Sequence, residues 1–261
     1  MLFRSWNFEQ LDIGIGESIL QAVGDLDLTD ARRTTEFSLD LSVPNLTSLG
    51  TIDGRAFNEQ AFSLVAHVDG RDGALTVDKL NAVVGQSDLR GFIQLRKGDV
   101  PSLDVDLYSD SLIFAPLLEE VEFEYDPKPK FDDGRLIPDV VMPFDAMREI
   151  DVSVDIDIKE LQRGPLYMND IEFDAILRDG VLDIQNAQFK PRSGALLARA
   201  RLEPAGESGT ASMDLVARNF ALGVAQTNLD LAMTGDIDMN LESTGADLRT
   251  LLGNANGVIL L

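Results

Sequence analysis

Residues 72–95 read "DGALTVDKLNAVVGQSDLRGFIQL", and residues 179–202 read "DGVLDIQNAQFKPRSGALLARARL". The two stretches align without a gap, so that Leu95 corresponds to Leu202. Downstream of them, "PSLDVDLYSDSL" (101–112) matches "ASMDLVARNFAL" (211–222). Each copy begins with Asp-Gly, a dipeptide typical of two-residue hairpin turns, and continues as strand, turn of small residues and strand. An internal repeat of this kind predicts an array of β-meander units.

Apolar and polar residues alternate in further segments of the chain. Examples are "EFSLDLSV" (36–43), "SLDVDLYS" (102–109), "DVSVDIDIKEL" (151–161) and "DIDMNLES" (236–243). A period of two is typical of a strand with one dry and one wet face. The predicted fold class is therefore mainly β: repeated antiparallel meander units form a long, twisted and curled sheet, an open trough with an apolar interior and a few short helices. A β-sandwich with a filled core would give the same alternation.

Three segments are predicted along the chain. Residues 1–117 hold a truncated repeat unit and one full unit, and residues 148–261 hold a second β-repeat segment that is cut at its end. Between them, residues 118–147 form an acidic, proline-rich connector with a short helix near Pro143. A second short helix is predicted in "TGADLRTLLGNANG" (244–257), with Thr244 as its N-cap and Gly253 as its stop. Because neither end resembles a natural boundary of the repeat, we expect the chain to be a segment of a longer protein.

The composition excludes several classes of function. The chain has 261 residues, a net charge of −23, 44% hydrophobic residues and no cysteine. Such an acidic surface repels phosphate backbones, so nucleic acid is not an expected partner. The absence of cysteine excludes disulfides, thiolate metal sites and a cysteine nucleophile. Contact with lipid would have to be made through apolar groups.

Catalytic signatures are weak. His67 is the single histidine of the chain, and no nucleophile elbow accompanies it. We therefore expect no enzyme activity, no catalytic residues, no metal site and no cofactor. The runs of Asp along strands leave one alternative open, a structural or interaction protein whose acidic surface is stabilised by calcium, although a flat strand spreads its carboxylates apart.

The second repeat and the residues after it resemble the C-terminal region of AsmA-family proteins. Members of that family show a DG-x-L hairpin, a GG-x-L-x-G turn and a later G-x-S-x-x-x-L-x-x-x-L-x-G stretch. Here the first two motifs correspond to Gly180 with Leu182 and to Ser193-Gly194-Ala195-Leu196, where one glycine of the pair is missing. The third corresponds to Gly245, Leu248, Leu252 and Gly257, with Ala246 in place of serine.

The resemblance implies a periplasmic protein that is anchored to the inner membrane by a helix absent from this sequence. It implies a non-enzymatic role in phospholipid transport between the inner and outer membranes, or in the assembly and integrity of the outer membrane. The implied partners are phospholipid acyl chains, the two membranes through missing parts of the protein, and protein partners that the sequence does not identify. The residues predicted to line an apolar groove are Phe37, Leu39, Leu41, Val105, Leu107, Val152, Val154, Ile156, Ile158, Ile237, Met239 and Leu241.

Overall fold

The computed structural model describes residues 5–15, 17–27, 35–52, 55–71, 73–113, 142–163, 166–206, 208–221 and 234–261. In these ranges the chain is mainly β, with one sheet of fifteen strands, a separate two-stranded ribbon and very few helices. The fifteen-stranded sheet is mostly antiparallel, and its strand order does not close on itself. The predicted fold class, a repeated antiparallel β-meander, is confirmed.

Two compact units make up the chain. Unit 1 comprises Met1–Glu122 and Ile156–Tyr167, and unit 2 comprises Phe123–Asp155 and Met168–Leu261. Residues 156–167, which the sequence placed in the second β-repeat segment, thus belong to unit 1. Residues 118–141, which make up most of the predicted connector, lie outside the described residues.

Unit 1 is a meander whose successive long strands pair antiparallel. A short 3₁₀ helix, Leu46–Leu49, and the two-stranded ribbon are inserted between β3 and β6. β10 pairs with β11 in parallel, in contrast to the antiparallel pairs from β1 to β9. The strands are β1 (Ser5–Ile15), β2 (Ser18–Asp27), β3 (Thr35–Val43), β4 (Thr51–Ile52), β5 (Arg55–Ala56), β6 (Phe62–Arg71), β7 (Ala74–Val84), β8 (Ser87–Arg96), β9 (Ser102–Ser109), β10 (Leu112–Ile113) and β11 (Asp151–Arg163), of which unit 1 holds the part from Ile156 onward.

Unit 2 continues with the same kind of meander and carries the α-helix of the described residues. The strands are β12 (Leu166–Arg178), β13 (Val181–Pro191), β14 (Ala195–Ala205), β15 (Ser208–Ala221), β16 (Thr234–Gly245) and β17 (Asn256–Leu260). Helix α1 (Leu248–Gly253) lies between β16 and β17, and a 3₁₀ helix (Ala146–Arg148) precedes β11.

The two copies of the repeat form equivalent hairpins, β7–β8 and β13–β14. Leu75 pairs with Leu95 in the first copy, and Leu182 pairs with Leu202 in the second. Both hairpins contain a β-bulge at the same place, after Val77 in the first and after the matching isoleucine in the second. Because even this irregularity is repeated, the alignment of 72–95 with 179–202 describes the same strand pairing and the same bulge position twice.

An Asp-Gly turn joins β12 to β13. Asp179 and Gly180 both adopt positive φ, at 53° and 80°, as the two central residues of a type I′ turn require. The twist of this turn matches the twist of paired strands, which explains why the Asp-Gly dipeptide begins each copy of the repeat. The predicted hairpin is therefore present where the sequence placed it.

Few hydrophobic side chains are fully buried among the described residues. In unit 2 they include a cluster of Phe144, Met147, Leu202 and Leu251, which sits where β13, β14 and α1 approach each other. In unit 1 they include Val43, Leu46 and Ala66. Each unit thus has a small core at one end of its sheet, and most of its remaining apolar side chains are only half-buried.

Candidate functional site

The predicted residues of β3 share one face of unit 1. Phe37 pairs with Val68, Leu39 with Ala66 and Leu41 with Leu64 across the β3–β6 ladder. On the other side of β3, the same three residues pair with Gly24, Ala22 and Leu20 of β2. Directly paired residues point to the same side of a sheet, so an apolar row crosses β2, β3 and β6 at each of these positions.

This face continues across the next strands of unit 1. Val68, Val77, Ile93 and Val105 pair in succession from β6 to β9. Leu107 lies two residues further along β9 and therefore on the same side. Val105 and Leu107 are half-buried, as are Phe37, Leu39 and Leu41 on β3.

A contact on the opposite face fixes the orientation of β11. The Lys159 ammonium lies 5.8 Å from the centre of the Tyr108 ring. Since side chains alternate along a strand, Ile156 and Ile158 point to the side of Val105 and away from Tyr108. Ile156 and Ile158 are half-buried, as are Val152 and Val154 in the part of β11 that belongs to unit 2.

The predicted residues of β16 lie on the apolar face of unit 2. Ile237 pairs with Ala217, Met239 with Leu215 and Leu241 with Met213. These partners in turn pair with Leu196, Ala198 and Ala200 of β14. The three predicted residues are half-buried, so they form part of an apolar surface that spans β14, β15 and β16.

One end of the apolar face in unit 1 is covered by a non-repetitive segment. Leu46 of the 3₁₀ helix and Phe57 pack over the end of the strands that carry Leu20, Leu41 and Val84. Between the cover and the sheet lies a cleft of about 370 Å³, whose lining is almost entirely apolar. A cleft of this size and polarity suits hydrocarbon better than a charged ligand.

Unit 2 has its own cleft, covered by two elements. We call residues 142–149 the strap; together with α1 it lies over the end of the apolar face. Met142 of the strap and Leu252 of α1 close a cleft of about 350 Å³ above Leu182, Met213 and Leu241. The lining is again almost entirely apolar. The cleft therefore extends the surface to which Leu241 belongs.

The sequence did not reveal the covering residues. Leu46, Phe57, Phe144 and Met147 lie in short segments with no alternation, where single apolar residues carry no periodic signal. Leu251 was within a predicted helix, but nothing in the pattern indicated which surface that helix covers. A signal that could have indicated these covering residues is the presence of Phe and Met in segments that are otherwise polar.

The opposite face of the sheet is polar and rich in ion pairs. Asp157 lies 2.9 Å from Lys159, and Asp104 lies 2.8 Å from Arg96. In the ranges that the structure describes, no group of three or more acidic or histidine side chains is arranged to hold a metal ion. The carboxylates that suggested a calcium surface are thus, in these instances, close to basic side chains.

His67 lies on this polar face, outside both clefts. Its Nδ1 atom is 3.0 Å from the Ser38 hydroxyl oxygen, and its Nε2 atom is 4.0 Å from a Glu36 carboxylate oxygen. His67 lies on β6, and its direct partner on the neighbouring strand β3 is Ser38. The contacts are those of a histidine that links two strands.

Comparison with known proteins gives no match: no family model, no curated protein and no solved structure is significantly similar to the chain. Across the described ranges, no helix is long and apolar enough to span a bilayer.

Proposed function

We propose that the chain is a non-enzymatic, lipid-binding segment of an AsmA-type protein of the periplasm. In this proposal the full-length protein is anchored to the inner membrane and takes part in phospholipid transport between the inner and outer membranes, or in outer-membrane assembly. The proposed ligands are phospholipid acyl chains. The compartment, the anchor and the membranes rest on the sequence resemblance to the family.

One observation carries the proposal for the ligand. In each unit, aliphatic side chains form rows across at least three paired strands, and these side chains are half-buried. A contiguous apolar surface of this kind commonly marks a binding site. Because transfer of a methylene out of water is worth about 0.8 kcal/mol, an acyl chain of ordinary length would gain substantial free energy on this surface.

The charge of the protein supports contact through acyl chains and not through headgroups. The net charge is −23, so anionic headgroups are repelled by the surface as a whole. The apolar rows offer no fixed charge that would hold one lipid in place. Such a lining is suited to a ligand that moves along the surface.

Photo-crosslinking tests the proposal. We would introduce p-benzoylphenylalanine at Ile156 or Val105 on the apolar face of unit 1 and illuminate the protein in cells. The matched control is Asp106, which neighbours Val105 in the chain and is exposed on the opposite face. We expect phospholipid adducts at Ile156 and Val105 and none at Asp106, as detected by mass spectrometry of the purified protein. Adducts with protein alone at all three positions would refute the proposal.

A further inference from the structure

The two copies of the repeat differ in how the end next to the Asp-Gly turn is covered. In unit 1, Leu95 is 44% exposed, whereas its equivalent in unit 2, Leu202, is 9% exposed. The strand pairing around both residues is the same, including the position of the bulge. The difference therefore comes from what packs on the sheet and not from the sheet itself.

The covering groups in unit 2 are Phe144 and Met147 of the strap and Leu251 of α1. They are 4%, 8% and 7% exposed, and they form one cluster with Leu202. The strap is also tied to the residues before α1, since the Met142 N–H donates to the Ala246 carbonyl at 3.3 Å. The strap and α1 thus form a single cover over one end of the apolar face.

The sheet is shaped to receive this cover. Gly209 is buried on β15, and a Cβ atom there would lie 2.6 Å from Cζ of the Phe144 ring. Such a distance is far inside van der Waals contact, so the ring occupies the space of the missing side chain. The strap is therefore a fitted part of unit 2 and not a chance contact of a connecting segment.

We propose that the cleft beside this cover holds the methyl end of a single acyl chain, and that the strap and α1 limit the length of chain that fits. This inference rests on the proposed function, because it assigns one end of the lipid to one place. The cleft, of about 350 Å³, is bounded by Met142, Met213, Leu241 and Leu252. Arg201 also borders the cleft, but its guanidinium lies beside the carboxylates of Asp183 and Glu203, and the exposed lining of the cleft is almost entirely apolar. A carboxylate or phosphate would therefore lose its hydration there, whereas a methyl end has none to lose.

A probe in the cleft tests the assignment on the whole chain. We would place p-benzoylphenylalanine at Met213, incubate the protein with an equimolar mixture of octanoic, lauric, palmitic and stearic acids, and illuminate it. Mass spectrometry of the adducts gives the length of each captured chain directly. We expect capture of fatty acid at Met213, with the shorter chains enriched relative to their capture at Val105 of unit 1.

Two variants change the cleft in opposite directions. Leu252 lines the cleft but is 48% exposed, so Leu252→Trp should fill the cleft without disturbing the core and should lower capture about tenfold or more. The control is Val258→Trp, an equally large side chain at an exposed site outside the lining. Phe144→Ala removes the ring behind Leu202 and Leu251 and should favour longer chains, by about fourfold for each methylene that enters the new space.

The outcomes separate this inference from the proposed function. Capture at Ile156 and Val105 but not at Met213 would overturn the chain-end assignment and leave the lipid-binding proposal standing. The chain-end assignment would also be overturned if Leu252→Trp did not lower capture at Met213. It would likewise be overturned if Phe144→Ala, in a protein that melts cooperatively, did not change the lengths of the captured chains. If Phe144→Ala does not fold, Phe144→Leu provides a smaller enlargement. Absence of lipid capture at every position would overturn both.

Discussion

At the scale of single residues, Asp88 is the centre of a polar group in unit 1 that also includes Arg90 and Asp110. One carboxylate oxygen of Asp88 accepts hydrogen bonds from the backbone N–H groups of Asp110 and Ser111, at 3.0 and 2.9 Å. The other oxygen lies 2.8 Å from Nη2 of Arg90, which also contacts the Asp110 carboxylate. Asp88 thereby fixes the chain at the end of β9 to the start of β8.

The protonation of Asp88 should affect the stability of unit 1. Partial burial opposes ionisation of the carboxyl, but the hydrogen bonds from Ser111, Arg90 and Asp110 outweigh it and lower the pKa of Asp88. A lowered pKa means that the contribution is complete above the unfolded-state value of about 4 and is lost as the pH falls through the folded-state value. We expect Asp88→Asn to reduce the free energy of unfolding by about 1–3 kcal/mol at neutral pH.

The measurement is urea unfolding followed by the fluorescence of Trp6, the single tryptophan of the chain, which belongs to unit 1. The difference between wild type and Asp88→Asn should shrink as the pH falls below about 4, because the carboxyl is then protonated first in the unfolded state and, at lower pH, in the folded state. Asp106→Asn, at an exposed position on β9, serves as the control. A stability difference that is independent of pH would contradict this account.

Gly91 is a second residue whose identity the fold restricts. Its φ is 155°, and a Cβ atom would lie 2.1 Å from the Asp106 carbonyl oxygen. The equivalent position in unit 2 is Ala198, so the repeat itself provides a comparison. We expect Gly91→Ala to lower the free energy of unfolding of unit 1 by about 1–3 kcal/mol, because the backbone of β8 must move away from β9.

The reciprocal change provides the control for Gly91. Ala198→Gly should cost only about 0.5–1 kcal/mol, because it adds backbone freedom without removing a clash. Thermal unfolding followed by circular dichroism measures both variants. Equal effects at the two positions would show that the close approach at Gly91 does not restrict the residue.

At the scale of elements, the hairpins were the most predictable part of the fold. Asp-Gly turns and period-two alternation have local causes, and the structure confirms the strands and the Asp179-Gly180 turn that they predicted. Asp72 of the first Asp-Gly pair lies outside the described residues. The match of "PSLDVDLYSDSL" to "ASMDLVARNFAL" is shifted by two residues, because Leu95 pairs with Leu103 and the equivalent Leu202 pairs with Ala211. A shift of two leaves every side chain on its predicted face, which is why the pattern alone could not detect it.

The short helices were less predictable. The sequence favoured Thr244 as the N-cap before α1, but the N-cap is Asp247, whose carboxylate accepts from the Thr250 N–H at 2.7 Å. Thr244 instead remains in β16. Both residue types can cap a helix, and the choice depends on where the strand ends. Gly253, predicted as the stop, is the last residue of α1 itself.

The fit between the strap and β15 gives a prediction at this scale. Gly209→Ala places a methyl group 2.6 Å from the Phe144 ring, so the strap should be displaced. Trypsin should then cut after Arg148 of the strap at least about tenfold faster than in the wild type. If the local opening of the strap costs about 1.4 kcal/mol less, the open state is ten times more populated. Limited proteolysis with mass spectrometry of the fragments measures this.

The control for the strap experiment is Gly253→Ala. A Cβ atom at Gly253 would have no neighbour within 4 Å, so the change adds the same methyl group at a free position of the same unit. Cleavage after Arg148 should keep its wild-type rate in this variant. If Gly209→Ala also leaves that rate unchanged, a methyl group at position 209 does not displace the strap. The fit of the Phe144 ring against Gly209 would then be contradicted.

At the scale of the whole molecule, the sequence predicted which residues share a face but not how that face is covered. Membership of a face follows from alternation alone, so the order of residues in the chain is enough to group Ile237, Met239 and Leu241. The covers formed by Phe57, Phe144 and their neighbours depend on contacts between residues far apart in the chain. Alternation carries no information about such contacts.

The high negative charge gives a prediction for the response to ions. Salt should stabilise the protein by screening the repulsion among its acidic groups. Because described carboxylates such as Asp104, Asp157 and Asp170 already lie within 2.9 Å of a basic side chain, calcium should add little beyond its ionic strength. We expect melting temperatures in calcium chloride and in sodium chloride of equal ionic strength to agree within about 2 °C. A larger rise with calcium would favour the calcium-stabilised alternative.

The order of strands also has a consequence for how the chain folds. Most strands pair with the strand that precedes or follows them, as β12, β13, β14 and β15 do in succession. Closing such hairpins requires only short loops, so the loss of loop entropy is small at each step. Proteins of low contact order fold fast, and this meander should therefore fold faster than a β-sandwich of equal size, by adding one hairpin after another to the first that forms.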